Sequence, residues 1–502
     1  MYVRKKRNKS GVISVQVIDK SSGAYRVVQT IGSSTDPKQI DALYSKGLNW
    51  IASYAGQKQF DFTDERHLFE QFLSGIRQVS VSGIELLLGK LFDQVGFGQI
   101  PDVLFRQLVL ARICNPVSKL KTVDYLRKYH SQHFDEDAIY RYLDKLYNTQ
   151  KEAVQQISYE HTLKILDGKM NIVFYDVTTL YFEADQEDEL RRTGFSKEGK
   201  HQNPQIVLGL LVSIDGYPLA YEIFEGNKFE GHTMLPVVDA FKTRYRLDKL
   251  VIIADSGLLS AKNIEELDRK GYEFILGARI KSESSTIKEK ITSLQLSDGQ
   301  SKIIEKDGDK RLIVGYSEKR AAKDRYNRER GLKKLEKKIR SGKLTKASIN
   351  NRGYNKYLKL EGEITVSIDQ GKFNQDAEWD GLKGYLTNTK LGKEQIIGNY
   401  GHLWKIEKAF RISKHDLKIR PVFHRARRRI EAHICITFAA YKIYKELDRQ
   451  LKAKGAMLSP EKAIDIAKTI YTIKVETPAS KLLERTLLLS EEQKYLANLF
   501  DF

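Results

Sequence analysis

Cysteine is almost absent from this chain, with two in 502 residues, Cys114 and Cys435. Each sits inside an apolar helical pattern, which excludes a disulfide framework and a cysteine-ligated zinc site and leaves two buried small hydrophobes. Long apolar runs are missing too. The longest, such as "IVLGLLVSI" (Ile206 to Ile214), fall far short of the roughly 18 residues needed to span a bilayer. The start "MYVRKKRNKSG" has no apolar signal core, so a cytoplasmic protein is expected. Acid is also in short supply. Against 85 Lys and Arg stand 65 Asp and Glu, a formal charge of +20, which points to a polyanionic partner, nucleic acid before membrane surface.

The length suits about three domains, each with its own core. Residues 1 to about 35 alternate apolar and polar around "KSSG" and predict a β-hairpin in an N-terminal β-rich region, 1–60. From 61 to 165 the period becomes helical, as in "DVLFRQLVLARIC" and "DEDAIYRYLDKLY". This helical region offers Arg112, Lys119, Lys121, Arg127 and Lys128 either as a solvated face or as DNA-backbone contacts. Beyond it, "NIVFYD", "QIVLGLLVSIDG" and "YPLAYEIFEGN" read as strands, followed by alternating helices and strands through "KLVIIADSG" and "EFILGARI". That order predicts a mixed α/β sheet over 166–280.

Two of its strands end in an acid: Asp176 in "VFYDVT" and Asp255 in "IIADSG". Singly, each is a turn residue or helix cap. Together they occupy the carboxyl ends of strands, where α/β sheets keep their ligand crevice. An aspartyl-phosphate phosphatase would need a second Asp two residues on, where this chain has Thr178. A third acid lies downstream in "NYGHLWKIEKAFRISKHDLK", where Tyr400, Glu407 and Lys414 recur every seven residues. At 100° per residue each returns to within about 20° of the last, so all three line one helix face, an unpromising composition for a core.

Asp176, Asp255 and Glu407 with this helix resemble the acidic triad of DDE-type insertion-sequence transposases, in the group with a Tyr-x2-Arg-x3-Glu-x6-Lys signature. The chain matches at Tyr400, Glu407 and Lys414 and departs at Leu403, where the signature has Arg. "LARICNPVSK" and "RIEAHICITFAAY" also resemble segments of such enzymes, so the likeness runs from about 60 to 440. It implies an α/β RNase H-like catalytic core, resumed at 396–450 after a β-rich insertion at 281–395 with a basic helix. The 152-residue step from Asp255 to Glu407 leaves room for it. Residues 451–502 are expected to be helical.

The resemblance also implies the chemistry. The protein is expected to be a bacterial, nucleoid-associated transposase that binds terminal inverted repeats, cuts DNA as an endonuclease and joins the freed end to target DNA. Two Mg²⁺ or Mn²⁺ ions are implied, held by Asp176, Asp255 and Glu407, because hard oxygen ligands select hard divalent cations. A homodimer on two element ends is expected, with "SEEQKYLANLF" as the candidate contact. Two other readings stay open: a catalytically silent DNA-binding protein derived from a transposase, and an RNase H-like nuclease.

Further residues are expected to touch DNA. Lys414 would hold a phosphate beside the cut, with Tyr400 on the same strand and Arg411 replacing the missing signature Arg. Trp379 is either a structural aromatic or a base-stacking ring. Glu318 to Lys343 is the most basic run, and from Lys319 onward it holds twelve Lys or Arg against three acids. With Leu332, Leu335 and Ile339 at helical spacing, it predicts a helix docked by one stripe, offering Arg325, Arg328, Lys333 and Lys337 to phosphates. His201, His232, His424 and His433 lack paired metal-ligand spacing.

Overall fold

The computed structural model describes the chain apart from residues 55–68, 71, 131–132, 197–198, 248, 259, 307, 343, 345–348, 351–352, 362–364 and 478–479. The expected boundary at 60/61 and Lys343, the last residue of the basic run, lie outside the described residues.

The chain divides into two compact units. The smaller comprises Met1–Val79 with Thr472–Arg485. Its strands β1 (Tyr2–Arg7), β2 (Ile13–Asp19) and β3 (Arg26–Ser34) form an antiparallel meander. The expected hairpin is β2–β3, closed at Asp19↔Arg26 around "KSSG". The first strand was hidden by its basic composition, since only Val3 is buried in it. Helix α1 (Pro37–Tyr54) packs Ile40 into a core with Val3, Val15 and Val17. Strand β4 (Ile76–Val81) interrupts a region expected to be helical. Its "IRQVSV" alternates with period two, too briefly to stand out among the surrounding helical repeats.

The larger unit comprises Ser80–Tyr471 with Thr486–Phe502. It opens with α2 (Lys90–Val95), α3 (Val103–Cys114), α4 (Lys119–His130), α5 (Glu136–Lys145) and α6 (Lys151–Ile165). Asp102 caps α3, accepting from Leu104 N at 3.1 Å, and Ser158 in α6 donates to Pro218 O at 2.6 Å.

The main sheet starts with β5 (Ile172–Tyr181), β6 (Gln205–Ser213) and β7 (Pro218–Glu225), an antiparallel set. Gly216 turns β6 into β7 at φ +83°, a conformation glycine takes without steric cost. Helix α7 (Met234–Tyr245) leads to β8 (Val251–Ala254), parallel to β5, and α8 (Ala261–Arg269) leads to β9 (Glu273–Ala278), parallel to β8. Every residue of β6 is buried, which is why its run is continuously apolar.

After α9 (Ser285–Thr292), strands β10 (Ser301–Glu305) and β11 (Arg311–Tyr316) precede α10 (Glu318–Arg340). A small hairpin follows, β12 (Leu358–Glu361) with β13 (Thr365–Ile368), then α11 (Gln370–Ala377) and β14 (Leu382–Thr387). Strand β14 pairs with the free edge of β9, and β11 and β10 continue outward, giving the order β10-β11-β14-β9-β8-β5-β6-β7. The segment expected as a separate β-rich insertion therefore mostly extends the main sheet. Among the described residues of this segment only β12–β13 forms a sheet of its own, and α10 docks Leu335 in a cluster with Tyr357, Leu358 and Val366 there.

Helices α12 (Lys393–Gly401), α13 (Trp404–Arg411) and α14 (Arg427–Ala453) complete the layer over one sheet face. The chain then runs through α15 (Pro460–Ala467), β15 (Tyr471–Glu476), β16 (Leu482–Leu487) and α16 (Glu491–Phe500). The C-terminal region is thus not all helical. "YTIKVE" and "LLERTL" form strands in a sheet of order β16-β15-β4, and the β-branched residues of the first favour the pleat. Among the described residues no helix is long and apolar enough to cross a membrane.

Candidate active site

Strands β5 and β8 run parallel with Tyr175 opposite Ala254. Asp176 and Asp255 are the next residues on each, so two acids stand at one register position on neighbouring strands. β8 stops there, but β5 continues to Tyr181 against β6. Asp176 is therefore mid-strand rather than terminal, because "VTTLY" is β-branched and aromatic and keeps its pairing. Alternation sets its face. Phe174 and Leu180 enter one core with Ile406 and Phe410 of α13, while Tyr175 and Val177 enter the core on the opposite side. Asp176 shares parity with the first pair and is half-buried, and its Oδ1 accepts from Val177 N at 2.7 Å.

The helix expected to carry Tyr400, Glu407 and Lys414 on one face is broken into pieces. Tyr400 belongs to α12, Glu407 to α13, and Lys414 to a wider turn at Ile412–Asp416. At the break, Leu403 N bonds Tyr400 O at 3.0 Å and Ile406 N bonds Leu403 O at 3.1 Å, the tighter i to i+3 pattern. Gly398 and Gly401 lie on its N-terminal side and weaken the helix. Leu403, where the signature has Arg, is buried at this corner.

The break turns Tyr400 inward. It is buried, and its hydroxyl donates to Asp255 Oδ1 at 3.0 Å. Gly277 in β9 makes the room, since a Cβ there would lie 2.4 Å from Tyr400 Oη. Tyr400 is thus a carboxylate partner and not the exposed DNA contact expected. Burial, then the charge of Asp255 and more weakly that of Glu407, pushes its phenol above the ordinary range. Lys383 of β14 holds its ammonium 4.5 Å from the centre of the Tyr400 ring. Burial, then Arg320, pushes Lys383 below its ordinary value, while Asp255 and Glu407 pull it back. Both acids therefore act on one lysine. Asp255 and Glu407 themselves are exposed.

Sequence reasoning missed Lys383 and Arg320. Each is an unremarkable residue in a strand or helix; pairing β14 to β9 brings Lys383 to the acids, and Arg320 of α10 acts on Lys383. A cavity of ≈ 560 Å³ adjoins them, lined by Ser256, Arg279, Arg320, Trp379 and Lys383. Trp379 is half-buried, packs against the apolar cluster that contains Leu312 and Leu382, and has the Lys281 ammonium 5.9 Å from its ring centre.

The other expected contacts separate by exposure. Arg325, Lys333 and Lys337 are exposed on α10, and Arg411 on α13, while Lys414 is half-buried. Arg328 departs from them: it is buried and ion-pairs with Asp380. Its position in α10 falls on the packed side, where the next segment supplies a carboxylate. The C-terminal helix is likewise used within the chain. Leu496 and Phe500 of α16 are buried in the main core, and Lys90 Nζ donates to Phe500 O at 2.6 Å. Its apolar stripe is therefore not free for a second protomer.

Among the described residues no three His, Cys, Asp or Glu side chains come close enough together to hold a metal ion. The donor set still suits a hard divalent cation in kind, with Asp176 and Asp255 in register and Glu407 on the helix layer facing Asp176. A family model, the transposase DDE domain, matches residues 167–443, more than half of the chain.

The chain belongs to the DDE transposase family. Its reaction is metal-dependent DNA cleavage and transesterification, and this DDE chain is a DNA transposase. Members of the family generally use divalent metal ions. Among solved structures, one that matches is a piggyBac transposase synaptic complex with hairpin DNA, 10% identical with a TM-score of 0.38, over 77% of this chain and 78% of that one. The Mos1 transposase paired-end complex with left transposon end matches at 11% identity and a TM-score of 0.16, over 34% of this chain and 56% of that one. No curated protein matches the chain.

Proposed function

We propose that Asp176, Asp255 and Glu407 are the acidic triad of this transposase, on an RNase H-like core made by β5–β9. The observation that carries it is the equal register of Asp176 and Asp255 on parallel neighbours, with Asp255 tied to Tyr400. The order β7-β6-β5-β8-β9, with a three-stranded antiparallel set before two parallel strands, supports the RNase H-like reading. The triad would hold two Mg²⁺ or Mn²⁺ ions, which neutralise charge on the attacking and leaving oxygens of a phosphodiester.

The chain's own residues hold the pieces in place. Strand β5 mounts Asp176 rigidly, and Tyr400 orients the Asp255 carboxylate by donating to one oxygen. Lys383 offsets part of the carboxylates' mutual repulsion. Lys414, seven residues past Glu407 and about 10 Å along a helix at 1.5 Å per residue, takes a neighbouring phosphate. Arg411 and the exposed cations of α10 bind flanking backbone, and the helical region before β5 joins them in holding the terminal inverted repeats. Two protomers act together, one per element end, through a surface other than α16. Light scattering with end DNA should report two chains per pair of ends, and a one-chain, one-end complex that completes strand transfer would refute this.

The triad is tested with Asp176→Asn, Asp255→Asn and Glu407→Gln. An amide keeps the shape but loses the charge that holds a divalent ion. Each variant should bind labelled element ends nearly as wild type and fail to cut them in Mg²⁺ or Mn²⁺. Appreciable cutting by any of them would remove that residue from the triad.

A further inference from the structure

Arg112 and Lys119, expected on the surface, are 6% exposed each and line a cavity of ≈ 230 Å³ outside the carboxylate site. Arg420, Lys418, His424 and His433 share the lining. Among the described residues neither Arg112 nor Lys119 has an ion pair. The lining holds one carboxylate, Glu136, which adds to burial in pushing the Tyr140 phenol up and ion-pairs with neither cation. His433 is buried, with Nε2 on Ile419 O at 3.0 Å and Nδ1 without a partner. The cavity is also lined by the first turn of α4, the positive end of its dipole.

Such a cluster is costly to keep. Buried charges are normally paired, and an arginine does not escape the cost by losing its proton at neutral pH. Burial lowers Arg112 only to about 10, and it pushes Lys119 down with the help of Arg112. His424 is held at about 3 by burial and then by Lys119 and Arg112. Arg112 and Lys119 repel each other, and among the described residues neither has a carboxylate partner. An anion with several acceptor oxygens would satisfy Arg112 and Lys119 together.

Its position suggests which anion. The segment carrying Arg420 joins the end of β5, with Val422 N on Tyr181 O at 3.3 Å and the Arg420 guanidinium 5.9 Å from the Tyr181 ring centre. Tyr181 lies five residues past Asp176, roughly 17 Å along the strand. That equals about five base steps of a duplex at about 3.4 Å each. We infer that this cavity is a second phosphate site, taking one backbone phosphate of the DNA about five nucleotides from the position of the carboxylates. It rests on the proposed reading that the carboxylates act on DNA.

The test uses full-length protein with Lys119→Met and, from the more exposed rim, Arg420→Gln. Fluorescence anisotropy with a labelled 30-base-pair duplex across a salt series gives the slope of log affinity against log salt. Each variant should flatten it by about 0.9, one phosphate contact. Lys119→Met should also raise the melting temperature of the free protein, because it removes an unpaired buried cation, which a merely structural lysine would not do. A folded Lys119→Met variant with an unchanged slope overturns the inference. In a parallel arm, melting is followed in inorganic phosphate against chloride of equal ionic strength. A phosphate-specific rise lost in Lys119→Met, with the DNA slope unchanged, would make the cavity a free-phosphate site and overturn the DNA source. Wild type that binds no duplex would instead sink the DNA reading, and the phosphate arm would then judge the cavity alone.

Discussion

The Tyr400 hydroxyl and the Asp255 carboxylate meet at 3.0 Å although 145 positions separate them in the chain. The contact joins the last turn of α12 to the end of β8, and Gly277 leaves the space for it. A hydrogen bond to a charged acceptor contributes about 1.5–3 kcal/mol. Tyr400→Phe should therefore slow single-turnover cleavage of labelled ends by roughly 10- to 100-fold, with duplex affinity nearly unchanged. Gly277→Ala should act in the same direction by displacing the phenol. A Tyr400→Phe enzyme that cuts at the wild-type rate would mean that Asp255 is oriented without it.

Helix α10 presents Arg325, Lys333 and Lys337 to solvent. If they meet phosphates, replacing all three with Gln should weaken binding to any sequence and flatten the salt slope by nearly one unit per lost contact. Anisotropy across a salt series measures this. An unchanged slope would assign the exposed face to solvent or to a protein partner.

Arg328, on the packed side of the same helix, should behave in the opposite way. Removing one partner of a buried ion pair leaves the other uncompensated, at a cost of about 3–5 kcal/mol. Arg328→Gln should thus lower the denaturant midpoint clearly and leave the salt slope of the remaining folded protein unchanged. A variant as stable as wild type would show that Asp380 finds another partner.

Acid should destabilise the fold through its buried histidines. Burial pushes His161 down to about 4 and His424 to about 3, and it pushes His433 well below its ordinary value. The folded chain keeps them neutral, whereas the unfolded chain protonates them near 6.5. Between about pH 6.5 and 4 the unfolded state holds more protons, so stability falls as pH is lowered through that window, by about 1–2 kcal/mol per histidine at pH 5. Urea melts at pH 7 and pH 5 check this, and His161→Gln should remove about one proton from the dependence. Equal midpoints at the two values would mean these side chains are protonated in the folded chain.

The strands that bear Asp176 and Asp255 and the basic helix were legible in the sequence because each is a local pattern. An apolar run ending near Asp176 or Asp255, or a run of Lys and Arg with Leu335 and Ile339 at helical spacing, depends on neighbours a few residues away. The two cysteines were legible as buried for the same reason, and both are. What only the tertiary structure decided was which distant groups meet. Period-seven spacing cannot reveal that the helix breaks at Leu403 and turns Tyr400 onto Asp255. Nothing near Lys383 announces that β14 will take the open edge of β9, since strand pairing is chosen by the whole sheet. Arg112 and Lys119 have the sequence context of surface cations, and Arg328 that of its exposed neighbours. Burial and partnership belong to three-dimensional packing, where segments far apart in the chain, such as Arg420 and His433, close over a charge that the local pattern had assigned to solvent.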